Sequence, residues 1–212
     1  LFKKFEGVLQ NNPIAFFDAL VGYFRSSGYF KLRPFLEGMS QIRILVGISA
    51  DKLMAEAKQK GLLYLEDSTK TKEELLKSIT QDIDEAPYKA EIEEGIKQFL
   101  DDIISGKVKI RAYGQKKLHA KFYILRPMNF NKDSFASVIM GSSNLTDAGL
   151  GINNEANYEL NVQLNNYDDV KFALDEFEPL WEQSTELIPA DIEELIKTTY
   201  LTNEILTPYE LY

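Results

Sequence analysis

The stretch "QIRILVGIS", residues 41 to 49, constrains the fold most. A nearly continuous apolar, β-branched run of this kind suits a strand buried on both faces, and such a strand needs helices to cover it. A helical pattern follows at once: Ser49 or Asp51 can cap "DKLMAEAKQKG", and Gly61 closes it. The pair reads as a βα unit, which sets the fold class as α/β.

The rest of the chain supplies partners for that unit. Upstream, "FFDALVGYF" reads as a strand or a short helix leading into one, and "RSSGYFKLRPFLEGM" as a helix with Ser26 or Ser27 as its cap. Residues 68 to 104 carry helical spacing in "STKTKEELLKSITQDI" and "APYKAEIEEGIKQFLDDII". Four strand candidates follow, at 107 to 113, 118 to 125, 135 to 143 and 158 to 164. Their connections are short or rich in Gly, Asn and Pro, as expected for antiparallel neighbours. The last stretches, "DDVKFALDEFEPLWEQS" and "ADIEELIKTTYL", read as helices, with Trp181 and its Phe and Leu neighbours as packing. The expected architecture is one mixed β-sheet flanked by helices on both faces. Residues 1–185 are expected to form this domain, and 186–212 a C-terminal helical extension leading to a further domain in a parent protein.

Composition excludes several function classes. The chain has no cysteine, which removes disulfides, thiolate nucleophiles and cysteine metal sites and fits a cytoplasmic protein. One histidine and no cysteine cannot build the usual nitrogen and sulfur shell of a zinc site, so no metal and no other cofactor is expected. No apolar run approaches the roughly 20 residues needed to span a bilayer. The chain starts at Leu1, without the apolar stretch of a secretory signal, and reads as a fragment of a longer protein.

A net charge of -9 argues against polyanion binding if it is evenly spread, and it is not. Lys107, Lys109, Arg111, Lys116, Lys117, Lys121, Arg126 and Lys132 fall in one stretch without an acidic residue. Taking those eight from the 24 Lys and Arg leaves 16 cations against 33 anions elsewhere. Lys107, Lys109 and Arg111 share one strand face by alternation, and with Lys116 and Lys117 they are the candidate nucleic-acid contacts. If the strands at 107 to 113 and 118 to 125 are adjacent, they present a cationic surface together.

The only histidine of the chain, His119, lies in this basic stretch, in "KKLHAKFYIL". Strand alternation places His119, Lys121 and Tyr123 on one face and Leu118, Phe122 and Ile124 on the other. Downstream, "GSSNLTDAGLGINNEANYEL" supplies Ser142, Ser143 and Asn144 just past a strand tip, with Thr146 or Asp147 able to cap a helical turn. A lysine ammonium and an asparagine amide can hold two phosphate oxygens. Glu155 and, ranked below it, Glu159 are carboxylates able to orient an imidazole through Nδ1–H, which frees Nε2 to attack.

The order His119-x-Lys121, then Gly141-Ser142-x-Asn144-x-Thr146, then Glu155, resembles the phospholipase D-like superfamily, the HKD phosphodiesterases, in its nuclease branch. The resemblance implies a phospholipase D-like fold with one HKD motif per chain. It also implies a metal-independent mechanism in which His119 attacks phosphorus to give a covalent phosphohistidine. Lys121, Ser142 and Asn144 would bind the phosphate, with His119, Lys121, Asn144 and Glu155 as the catalytic set. The acidic residue of the motif would fall at 126, where this chain has Arg126, a departure that favours nucleic acid over phospholipid. Asp133, nearby, is given no catalytic role. More distant similarity of "ALVGYFRSSGYFKLRPFLEGMSQIRILVGIS" and "YGQKKLHAKFYIL" is to the phospholipase D-like domain attached to SNF2-type helicases and restriction systems.

Protonating the leaving oxygen needs a general acid, and a chain with one histidine has no second imidazole. Single-motif members of the superfamily meet this need as homodimers with the two motifs at a two-fold interface. The expected partners are therefore DNA, a second copy of the chain and a helicase domain of the same parent protein, with no membrane. The leading expectation is a DNA nuclease; the alternative is a non-catalytic module that docks a helicase on DNA or on a partner.

Overall fold

In the computed structural model, which describes residues 1–48, 59, 67–87, 89–152, 158–199 and 201, the run at 41 to 49 supplies a central strand. The elements follow in the order α1 (Phe2–Asn11), β1 (Phe16–Val21), α2 (Ser26–Leu36), β2 (Gln41–Gly47), α3 (Ser68–Asp84), α4 (Ala90–Ile104), β3 (Val108–Tyr113), β4 (Phe122–Arg126), β5 (Ser137–Gly141), α5 (Asp147–Leu150), β6 (Asn161–Leu164), α6 (Tyr167–Glu182), β7 (Thr185–Glu186) and α7 (Pro189–Thr198). The helix expected after Asp51, with Ser49, Asp51 and Gly61 at its ends, lies outside the described residues apart from position 59.

The strands form one mixed sheet in the order β6-β5-β4-β1-β2-β3-β7. Two cores explain why the β2 run is apolar apart from Gln41 and Arg43. Ile42, Ile44 and Val46 point to a cluster shared with α1, α2, α3, α4 and α7, while Leu45 points to a second cluster with Val170, Ala173, Phe177 and Trp181 of α6. Helices thus cover both faces, as expected from the sequence. Trp181 packs as expected, stacked on Phe177 at 5.6 Å. Helix α1 was not foreseen. Its Phe5 sits edge-on to Tyr123 and Phe17 with ring centroids 5.0 and 5.7 Å away, and the spacing of Phe2, Phe5, Val8 and Leu9 was the available signal.

Strand adjacency departs from expectation at one place. β4, β5 and β6 are antiparallel neighbours, but β3 pairs in parallel with β2 and antiparallel with β7. Strand β4 lies two strands further across, beside β1. The cationic surface expected from adjacent 107–113 and 118–125 strands therefore does not form. The physical reason is that β2, buried on both faces, takes a parallel neighbour on each side, and residues 114–121 cross the sheet end to reach β4. Eight extended residues span well over the roughly 14 Å of three strand spacings.

Other expectations shift locally. Arg25, not Ser26 or Ser27, is the N-cap of α2, and its first turn is capped from outside: the Ser26 N–H and Oγ–H both donate to Asp82 Oδ2 at 2.6 Å. Thr146 does cap α5, accepting from the Gly149 N–H at 3.1 Å. The boundary expected after residue 185 falls inside β7, and Leu187, Ile192 and Leu195 beyond it belong to the larger core. No helix among the described residues is long and apolar enough to cross a membrane.

Candidate active site

The same three residues stand at the ends of β1 and β2, Leu20-Val21 followed by Gly22 and Leu45-Val46-Gly47, with Leu20 and Val21 in register opposite Leu45 and Val46. The segment 114–121 crosses over these two glycines. A Cβ on Gly47 would lie 2.8 Å from Leu118 Cβ and 3.3 Å from its carbonyl oxygen. One on Gly22 would lie 3.2 Å from the Leu118 oxygen, 3.5 Å from Lys121 Cε and 3.6 Å from Asn144 Oδ1. Both positions need a residue without a side chain so that the His119 segment can lie on the carboxyl ends of the parallel strands, where open α/β sheets place their sites.

His119 and Lys121 consequently precede β4, whose ladder starts at Phe122, and do not lie inside a strand. The expected parity survives nonetheless. Leu118, Phe122 and Ile124 face the α6 core, whereas Tyr123 enters the opposite one. The Tyr123 hydroxyl donates to the Ser143 carbonyl at 2.9 Å, which ties β4 to the loop after β5. Burial, and then the Glu159 charge, push the Tyr123 pKa above its ordinary value, so this hydroxyl stays a donor.

A cavity of about 470 Å³ opens at this sheet end, and His119, Lys121 and Asn144 all line it, with Gly22, Tyr23 and Gly47. The loop carrying Asn144 is fixed to the loop after β1. Asn144 Oδ1 accepts from the Tyr23 N–H at 2.9 Å, Phe24 bridges Leu145 in parallel, and the Arg25 N–H donates to the Leu145 carbonyl at 3.0 Å. With Oδ1 engaged, the Asn144 amide has its Nδ2 hydrogens left to donate. Lys121 Nζ donates to the His119 carbonyl at 3.0 Å, which uses one of its three protons and holds the ammonium beside the histidine. The His119 ring is exposed and has no hydrogen-bond partner among the described residues. A nucleophilic imidazole, a cation and an amide donor in one cavity can attack and hold a phosphate ester.

The remaining sequence candidates separate from this trio. Glu155 lies outside the described residues. Ser142 does not line the cavity: its single hydroxyl proton goes to Glu159 Oε2, and its oxygen accepts from the Leu160 N–H at 3.1 Å. Glu159 is thus a partner of the Ser142 loop and not a free surface carboxylate. Arg111 is committed to the fold, donating to the Trp181 carbonyl at 2.8 Å and pairing with Glu186 at 2.7 Å. Lys107 donates to the Glu37 carbonyl at 3.1 Å, and Lys109 lies on the same strand face, remote from the cavity. Of the five candidate nucleic-acid contacts, Lys117 lines the cavity and Lys116 is exposed beside it.

Arg126 stands at the other end of β4, paired in register with Phe16, and binds Asp18 instead of facing the cavity. Asp133 sits in the β4–β5 connection, where its N–H donates to Asn131 Oδ1 at 2.8 Å. Sequence reasoning missed Gly22, Gly47 and Tyr23, although the repeated Leu-Val-Gly was visible.

The family model described as "Cardiolipin synthase, PLD-like domain" matches residues 40–181, about two thirds of the chain, and takes in His119, Lys121 and Asn144. No curated protein matches the chain. The matched residues include β2 to β6, the crossing segment and the loop after β5, so the match and the cavity describe the same part of the molecule. With a seven-stranded α/β sheet and this histidine, lysine and asparagine at its end, the chain belongs to the phospholipase D-like family, whose chemistry is of the phosphodiesterase type.

Proposed function

We propose that the chain is a metal-independent nuclease that cleaves phosphodiester bonds of DNA through His119, as a module of a larger helicase- or restriction-type protein. The observation that carries the reading is the gathering of His119, Lys121 and Asn144 around one cavity. His119 attacks phosphorus, and the N–P bond forms as the P–O bond to the leaving strand breaks. Lys121 and the Asn144 amide hold the non-bridging oxygens as negative charge builds on them. A second imidazole protonates the leaving oxygen, then takes a proton from the water that hydrolyses the phosphohistidine. Glu155 keeps its proposed part in orienting His119, as the resemblance implies. A panel of single-stranded DNA, duplex DNA, RNA and phosphatidylcholine tests the reading. Turnover on DNA supports it, and turnover on the lipid alone, or a need for Mg²⁺, overturns it. DNA binding without turnover on any substrate selects the non-catalytic alternative.

The second imidazole comes from a second copy. Two features support the homodimer: the chain has one histidine, and the edge strand β6 together with the segment leading into it carries exposed apolar side chains. Tyr158, Leu160 and Val162 are 97%, 68% and 49% exposed, and Leu160 belongs to the segment bonded to Ser142. Exposed apolar side chains on an unpaired edge favour association with another chain. Leu160→Lys is expected to shift the solution mass from dimer to monomer and to lower turnover at least about 100-fold, the scale of losing general-acid catalysis. A monomer with full activity would remove the two-histidine mechanism.

The crossing of residues 114–121 makes a second prediction. Gly47→Ala forces Leu118 and the His119 backbone outward, because the new Cβ would sit 2.8 Å from Leu118 Cβ. The expected loss is about 10- to 100-fold in kcat, as for a reacting group displaced by an ångström, with about 1–3 kcal/mol lost in stability. Gly22→Ala, whose nearest contact is 3.2 Å, is expected to be milder in both measures.

A further inference from the structure

We propose that Tyr23 is a stacking platform for the nucleobase beside the scissile phosphate, which makes the preferred substrate single-stranded. The inference rests on the phosphodiesterase reading for its substrate class, but its own support is separate. Tyr23 lines the same cavity as His119, Lys121 and Asn144, and it is 45% exposed there. It lies outside residues 40–181, so the family match does not account for it.

The residue is held as a rigid platform. Its N–H is bonded to Asn144 Oδ1, and the next residue, Phe24, is buried and bridged to Leu145. The Arg25 guanidinium lies over the ring, 5.7 Å from its centroid, and is itself tied to Asp82 at 3.1 Å and Glu85 at 3.4 Å. A ring braced on one side by a tethered guanidinium and partly exposed loses little conformational freedom when a flat ligand stacks on it. Because Asn144 is fixed by the Tyr23 backbone, the platform and the proposed phosphate donor keep a constant relation.

The charge around the cavity favours stacking over a long electrostatic track. The cations at the cavity are local, Lys117 and Lys121 in its lining, while Lys107, Lys109 and Arg111 lie elsewhere, Glu74 also lines it, and Asp82 and Glu85 stand behind Arg25. A duplex keeps its bases stacked on one another and brings dense charge on both strands, whereas a single strand can lay one base on the ring.

The test is the affinity of the His119→Ala protein, which removes turnover, for two labelled single strands of equal length, one with bases and one built of abasic residues. The strand with bases is expected to bind about 10- to 100-fold more tightly, the scale of one base–aromatic stack. Tyr23→Ala in the same protein is expected to bring the two affinities together, and Tyr23→Phe to keep them apart. Equal affinities with Tyr23 intact, or a Tyr23→Ala effect of the same size on both strands, would overturn the proposal. Preferential binding of the strand with bases, without cleavage by the wild-type protein, would instead leave the platform standing and sink the catalytic reading.

Discussion

His119→Ala is expected to reduce DNA cleavage by about 10⁴-fold or more, the scale on which removal of a catalytic nucleophile registers. The side chain is exposed and has no hydrogen-bond partner among the described residues, so thermal unfolding should not move. The wild-type protein should keep its rate in EDTA, since in the proposed mechanism Lys121 and Asn144 hold the phosphate without a metal. The proposed pairing would make the effect more severe than loss of one group. In a homodimer the substitution takes away the nucleophile of one copy and the acid of the other. Dimers of one wild-type and one variant chain should accordingly be unable to complete turnover, because the remaining imidazole lacks its acid. A variant that cleaves at more than about a hundredth of the wild-type rate would sink the mechanism, since an oriented lysine and amide alone do not form a covalent intermediate.

The fold class was legible because one strand had to be buried on both faces, and the helical periods on either side of it left few alternatives. That His119, Lys121 and Asn144 come together at one cavity was legible because their residue types follow in a fixed order around a strand end. What was not legible was adjacency. Lys107, Lys109 and Arg111 share a face by simple alternation. Which strand lies beside them depends on where the parallel crossover lands, and this is a property of the whole sheet. The roles of Ser142 and Arg126 depend on partners that only the fold brings to them. Ser142 finds Glu159, and Arg126 finds Asp18, 108 positions earlier. The α2 cap was hidden for the same reason, because Asp82 supplies it from α3. The Leu-Val-Gly repeat was available but carried no meaning until two parallel strands placed both glycines under one crossing segment.

Asp18→Ala is expected to destabilise the fold by about 3–5 kcal/mol, the range for removing one partner of a buried ion pair. Asp18 is 1% exposed on β1 and sits in register opposite Arg43, whose Nε donates to Oδ1 at 2.6 Å. Arg126 Nε donates to the other carboxylate oxygen at 3.3 Å. Arg43 continues the cluster to Glu178 of α6 with bonds of 3.0 and 2.8 Å, and lies 4.8 Å from the Phe177 ring centroid. Burial alone would lower the Arg43 pKa, but the hydrogen bonds to Asp18 and Glu178 outweigh it and hold the value above the ordinary one. Arg43 therefore stays charged, and losing Asp18 leaves Arg43 with Glu178 alone and Arg126 without its carboxylate. Urea unfolding followed by far-UV circular dichroism measures the loss, and Asp18→Asn, which keeps the shape and one acceptor, should cost less. Replacing Asp18 by Leu together with Arg43 by Met should recover only part of the stability, since it removes Arg43 along with its partner but leaves Arg126 without a carboxylate. Below its unfolding transition the Asp18→Ala protein should cleave DNA at the wild-type rate. A large fall in kcat in the folded protein would instead tie position 126 and its carboxylate partner to the chemistry, against the placement of Arg126 at the far end of β4.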